Sequence, residues 1–197
     1  MTSRPCTATS TSSPRPWAEP PTGFASGTFP HSLRDVKRSG PERRSESVRI
    51  AARAVIIRDG RLLTVRVRTD EGEFLVLPGG GQEHGETLPD AVRREVAEEL
   101  GLAVVPRSLL YVREYVGKNH AMRRIHARFH QVEAVFHCEC PDFSPLGEGK
   151  GQDRRQVGFE WIPMDALDRH PLSPRGLGQV LVRALKDGTA VYIGDVH

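Results

Sequence analysis

Between Thr87 and Gly101 the chain carries a full set of helix signals, and no other stretch constrains the fold as tightly. Thr87 is a good N-cap, and Asp90 three residues on makes a capping-box-like pair with it. Pro89 falls in the first turn, where its missing N–H costs little. Gly101 suits the left-handed residue that ends a helix, and Leu102 can fold back as its apolar contact. The spacing therefore predicts a helix over 88–100, with Leu88, Ala91, Val92, Val96 and Leu100 as its buried stripe.

Glu95, Glu98 and Glu99 lie three and four residues apart on that helix and share one side of it. Like charges this close repel, and a hard divalent cation removes the conflict because Mg²⁺ prefers carboxylate oxygens and water. Arg94 stands among them and can pair with Glu86, tying the preceding glycines to the helix. Gly79, Gly80 and Gly81 form a loop that lets backbone approach a ligand closely. Any one of these glutamates reads equally well as part of a solvated helix face. The combination is different: Gly80, five residues, Glu86, seven residues, then Arg94-Glu95-Val96-Ala97-Glu98-Glu99-Leu100-Gly101-Leu102. At average residue usage such a match arises by chance on the order of 10⁻⁷ per chain.

That stretch, Gly80 to Leu102, resembles the box of the Nudix hydrolase superfamily at every defined position. The resemblance implies an α/β/α sandwich with a mixed sheet, spanning residues 47–197. It implies that Glu95, Glu98 and Glu99 hold the catalytic divalent cations, with the Gly79 carbonyl as a further ligand. Glu86 would brace Arg94, and Glu99 would orient or deprotonate the attacking water. Mg²⁺ is the implied cofactor and Mn²⁺ a substitute. The implied reaction is hydrolysis of a diphosphate linkage in a nucleoside diphosphate joined to another moiety. The metal neutralises the charge that repels the nucleophile, lowers the pKa of bound water and aligns it with phosphorus.

A chain of 197 residues is long enough for one domain with a real core. No apolar run approaches the roughly 20 residues of a membrane helix, so no membrane partner is expected. The net charge of +3 suits an anionic small molecule and is weak evidence for nucleic acid, which is not expected as a partner. Three cysteines, Cys6, Cys138 and Cys140, form no disulfide framework and point to a reducing, cytoplasmic setting. Residues 1–46 are rich in Ser, Thr, Pro and Arg and read as a disordered tail. Glu19 and the missing amphipathic pattern count against a transit peptide, leaving a tail or a start codon placed too early.

From Val48 the texture changes. VRIAARAVIIRDG reads as a strand ending in an Asp59-Gly60 hairpin turn, with RLLTVRVR as its partner. EFLVLPGG is a short strand delivering the chain into the glycine loop. SLLYVREYVG is a further strand, and RIHARFHQVEAVFHCEC reads as one long strand with His126 and His130 on a common face. PDFSPLGEGKGQDRRQ is a polar loop, VGFEWIPMDAL a strand into a short helix with Phe159, Trp161 and Ile162 in the core, SPRGLGQVLVRALKDG a helix and AVYIGDV a terminal strand.

Arg66, Arg128 and His126 are the candidate substrate-binding side chains. Lys118, Arg123 and Arg124 add cations that suit extra phosphates or simply a solvated loop. Similar enzymes place an additional carboxylate downstream, for which Glu148, Asp153 and Glu160 are the candidates. The substrate itself is unspecified. Val116, Gly117 and Lys118 stand where ADP-ribose hydrolases carry a proline, and Tyr111 and Tyr115 come early for the tyrosine of dinucleoside polyphosphate enzymes. Nucleoside triphosphates and NDP-sugars both stay open. The alternative is a non-catalytic nucleotide-sensing or regulatory domain, although the intact box and the absence of a helix-turn-helix pattern disfavour it. Similar proteins are frequently dimers, so a homodimer is an expected assembly.

Overall fold

The computed structural model describes residues 47–70, 72–120, 127–151, 154–187 and 191–195. The tail expectation for residues 1–46, and with it Cys6, lies outside them. The first strand, β1 (Arg49–Arg58), turns through Asp59 and Gly60, which have φ of 49° and 70°. Two successive positive φ values make the turn whose twist matches a hairpin, so β2 (Arg61–Thr69) runs back antiparallel from the Arg58–Arg61 pair. Then come β3 (Gly72–Val76) and β4 (Gly79–Gly81). The glycines expected as a loop are a short strand, because they pair antiparallel with Ala51–Arg53 of β1.

The helix α1 spans Leu88–Leu100, capped by the Thr87 hydroxyl accepting from Asp90 N–H and closed by Gly101 at φ 75°. After it follow β5 (Val105–Val116), β6 (His130–Glu139), β7 (Gln156–Pro163), α2 (Leu177–Asp187) and β8 (Val191–Asp195). Hydrogen bonding runs in the order β3-β2-β1-β6-β5-β8, with β4 added to β1 and β7 to β2. The β1–β6 and β5–β8 pairs are parallel, so the sheet is mixed. The predicted short helix after β7 is a single 3₁₀ turn, Leu167–Arg169.

Alternation along β1 sends side chains to two cores. Ala52, Ala54 and Ile56 meet Ala91, Val92, Val96 and Leu100 of α1. Val55 meets Leu177, Leu181 and Ala184 of α2 across the other face. One helix on each side of the mixed sheet is the α/β/α sandwich expected from the box. Ile162 is fully buried, while Phe159 and Trp161 pack half-buried at the edge of the α1 core. Among the described residues no helix is long and apolar enough to cross a membrane.

The long strand over 124–140 is shorter than expected. Its partner β5 ends at Val116, paired with His130, and the chain then enters a 3₁₀ turn over Gly117–Asn119. Gly117 N–H still reaches Phe129 O at 2.8 Å, but the ladder goes no further, and Ala127 and Arg128 form a turn. His126, and with it the face it was expected to share with His130, lies outside the described residues.

Candidate active site

Arg94 is the hub of the box. Its Nε and Nη2 donate to the two oxygens of Glu86 at 3.2 and 2.8 Å. Nη2 also donates to the Gly81 carbonyl at 2.8 Å, and Nη1 reaches Glu95 at 3.0 Å and Glu98 at 3.3 Å. The hydrogen bond from Arg94 holds the Glu86 carboxyl below its usual range, helped by the Glu83 N–H. Glu86 in return raises the pKa of the guanidinium, which stays charged. The brace predicted between Glu86 and Arg94 is therefore present, and it fastens β4 to α1.

The glycine strand sits hard against the helix. A Cβ on Gly80 would stand 2.5 Å from both Glu95 carboxylate oxygens, so only glycine leaves Glu95 its place. Gly79 N–H donates to Glu99 Oε2 at 2.8 Å. The Gly79 carbonyl accepts from Arg53 Nη1, which also reaches the Leu77 carbonyl. At the other end of α1 the loop before β7 and the first residue of β7 supply donors for the last carbonyls, which an α-helix leaves unpaired. Gly151 N–H serves Glu98 O at 3.0 Å, Gln156 Nε2 serves Glu99 O at 2.9 Å, and Gly147 N–H serves Leu100 O at 2.9 Å.

Three carboxylates, Glu86, Glu95 and Glu98, thus surround one guanidinium, and with Glu99 bonded to Gly79 N–H they leave an excess of negative charge beside the glycine strand. Among the described residues no three acidic, His or Cys side chains form a ready-made cage. Mg²⁺ does not need one, since it takes one or two carboxylates and keeps several waters. Hard oxygen donors in charge excess, with the Glu98 side chain 45% exposed, fit such an ion.

A cavity of about 490 Å³ opens on the α2 face of the sheet. Its floor comes from β1, β5 and β6: Arg49, Arg53, Tyr111, Arg113 and Glu133. Glu133 is 3% exposed and accepts from Arg113 Nε at 2.6 Å, Arg113 Nη2 at 2.5 Å, Gln131 Nε2 at 2.6 Å and Arg53 Nε at 3.3 Å. Burial alone would raise the Glu133 carboxyl, but Arg53 and Arg113 outweigh it and hold it low. Arg53 belongs to both places, with one nitrogen on Glu133 and another on Gly79 O. The segment Pro171–Ser173 runs beside Leu75 of β3, with backbone bonds of 2.9 and 2.8 Å, and brings Pro174 and Arg175 to the cavity wall.

A NUDIX domain model matches residues 48–181. The chain belongs to the NUDIX family. Over 50 residues it is 44% identical to a nucleoside triphosphatase NudI of Enterobacter sp. (strain 638), covering 24% of this chain and 36% of that protein. The match therefore spans about a third of that relative's length. The MutT NUDIX hydrolase from Burkholderia pseudomallei is 28% identical, with a TM-score of 0.51 over 73% of this chain and 99% of that one. A NUDIX hydrolase from Nitrosomonas europaea shares the fold at 21% identity, with a TM-score of 0.58 over 72% of this chain and 90% of that one.

Within this NUDIX domain the structure brings Gly79, Glu86, Arg94, Glu95, Glu98 and Glu99 together. Of the predicted substrate-binding side chains that are described, neither Arg66 nor Arg128 lines the cavity. Arg66 lies over Gly158 and 3.9 Å from Glu73, and Arg128 sits in the exposed turn before Phe129. His126, Arg123, Arg124 and Asp153 lie outside the described residues. Glu160 faces His170 at 3.6 Å. Glu148 is exposed on the loop whose backbone packs against Gly101 and Glu98. Sequence reasoning missed Arg49 and Arg53. Their signal was present: two arginines four apart in an apolar strand fall on one face, here the cavity face. Arg49 packs over Gly81, where a Cβ would stand 2.6 Å from its Nη2.

Proposed function

We propose that this NUDIX chain is a divalent-metal-dependent hydrolase of a diphosphate linkage in a nucleoside diphosphate joined to another moiety, water attacking phosphorus. The observation that carries this reading is the excess of carboxylates around Arg94, next to a glycine strand that shares Arg53 with a nucleotide-sized cavity. Glu95, Glu98 and Glu99 would hold Mg²⁺ or Mn²⁺, with the Gly79 carbonyl turning from Arg53 to join them. Bound there, the ion would offset the diphosphate charge and polarise the attacked phosphorus.

The protein's own groups do the rest. Arg94 keeps Glu95 and Glu98 on one side of α1, and Glu86 keeps Arg94 in place. Glu99, steadied by Gly79 N–H, orients the attacking water and takes its proton. Arg49, beside Gly81 and at the cavity rim, is the cation best situated for a phosphate. The NudI likeness favours nucleoside triphosphates as the first class to assay. Cys138 and Cys140 are free thiols, which suits a reducing, cytoplasmic setting.

Release of phosphate or pyrophosphate from nucleoside triphosphates, ADP-ribose, NDP-sugars and dinucleoside polyphosphates, with and without Mg²⁺ or Mn²⁺, tests the proposal. Turnover should require metal, and Glu98→Gln should lower it roughly a hundred- to a thousandfold with the melting temperature unchanged. An undiminished Glu98→Gln enzyme would sink the assignment of the box glutamates. A folded protein that binds nucleotide but turns over nothing would favour the sensing-domain alternative.

A further inference from the structure

Arg53 divides its nitrogens between the cavity floor and the glycine strand. Nε donates to Glu133 Oε1 at 3.3 Å. Nη1 donates to the Gly79 carbonyl and, at 3.3 Å, to the Leu77 carbonyl. The side chain lines the cavity and is 22% exposed, and its Nη2 carries no hydrogen bond among the described residues without being sealed from solvent. Gly79 in turn is bound on both sides: its N–H donates to Glu99 Oε2 at 2.8 Å and its carbonyl accepts from Arg53. Its φ of 126°, and a Cβ that would collide with Ala52 O, confine this position to glycine. The Gly79 carbonyl is also the one assigned above to the metal. A carbonyl oxygen has two lone pairs, but two cations drawn to one oxygen stand close together and repel.

We propose that Arg53 and the divalent ion exclude each other from the Gly79 carbonyl, so that Arg53 lowers metal affinity in the empty protein and is released towards the cavity when the ion binds, a reading that rests on Gly79 serving as a metal ligand. Glu133 keeps hold of Nε, so the released guanidinium stays on the floor and offers Nη1 as well as Nη2 to a phosphate oxygen. Such coupling is reciprocal: an anion that draws Arg53 into the cavity raises metal affinity by the factor with which metal raises anion affinity. A merely structural Arg53 predicts the opposite sign, because its loss would loosen the glycine strand and weaken metal binding.

The test is Mn²⁺ binding to the full chain without nucleotide, read from the EPR signal of the free ion. Arg53→Met should bind Mn²⁺ about tenfold tighter than the parent. Arg49→Met removes a like charge from the same face of β1 without a bond to Gly79, and should change the affinity by no more than about twofold. Weaker or unchanged binding in Arg53→Met, or equal tightening in the two variants, overturns the proposal. In the parent, a Mg²⁺ titration followed by NMR of the arginine side chains should move the Arg53 guanidinium signals. Signals that stay in place at saturating Mg²⁺ overturn it whether or not the variants fold. Turnover by a parent whose Mn²⁺ affinity does not respond to Arg53→Met refutes the exclusion alone, whereas exclusion in a protein that hydrolyses nothing refutes the hydrolase reading alone. A parent that binds no Mn²⁺ refutes both.

Discussion

The box on α1 and the floor of the cavity are both clusters of arginine and glutamate, but they differ in solvent and in sequence span. Around Arg94 the side chains range from 16% exposed at Glu86 to 45% at Glu98, and all come from residues 86–99. Around Glu133 the side-chain exposures are 5% for Glu133 itself, 11% for Arg113 and 22% for Arg53, and the partners come from β1, β5 and β6. Partly solvated charges can exchange one counterion for another at modest cost, as a metal site must. Buried charges cannot, because removing one partner leaves the other unpaired in a poor solvent. The first cluster is suited to chemistry and the second to holding a shape.

Substitution of the two central glutamates should separate these roles. Glu133→Ala leaves Arg53 and Arg113 without their acceptor and should destabilise the domain by about 3–5 kcal/mol, read from a denaturant melt. Glu98→Gln should stay within about 0.5 kcal/mol of the parent while losing turnover. Equal stability of the two variants would mean that the floor is not structurally obligatory, and the contrast would collapse.

Gly149→Ala probes the support of the box from outside it. A Cβ there would stand 2.6 Å from Glu99 O, so the loop must lift from the last turn of α1. The expected loss is about 1–3 kcal/mol of stability, together with reduced turnover as Glu98 and Glu99 lose their setting. Unchanged turnover would show that the helix end holds the carboxylates without the loop.

The smallest effect is expected at the cavity rim. Asp195 of β8 accepts from Val116 N–H, Asn119 and His120, and His120 stacks on Tyr115 at 4.0 Å. Burial would raise the Asp195 carboxyl, but the bonds from Asn119 and His120 bring it down to about 2. Its unfolded value lies near 4, so its stabilisation is complete above about pH 4 and fades as pH falls towards about 2. The stability difference between the parent and Asp195→Asn, measured by thermal melts at several pH values, should close across that window. A difference that persists at pH 2 would show that the carboxylate charge is not what Asp195 supplies.

Much of the site could be read from the chain because its parts are neighbours. Thr87, Asp90 and Gly101 act within a turn or two of backbone, and α1 has the predicted bounds. The Glu86–Arg94 brace spans one loop and two helical turns. The strand before His130 was misread because alternation continues on paper past the end of β5, whereas a ladder stops where its partner stops. The roles of Gly147, Gly149 and Gly151 were also hidden, since a glycine in a polar loop looks like a breaker until the helix end it must approach is in place.

Local periodicity, capping and the box spacing by themselves determined the helix, the hairpin and the carboxylates that point one way. Tertiary structure alone decided that Arg53, Arg113, Gln131 and Glu133 meet, that Arg53 also reaches Gly79, and that Arg66 stays away from the cavity. The physical reason is that pairings within a few residues are imposed by backbone geometry. A buried charge network depends instead on which strands become neighbours and in what register, and that is settled by the packing of the whole sheet.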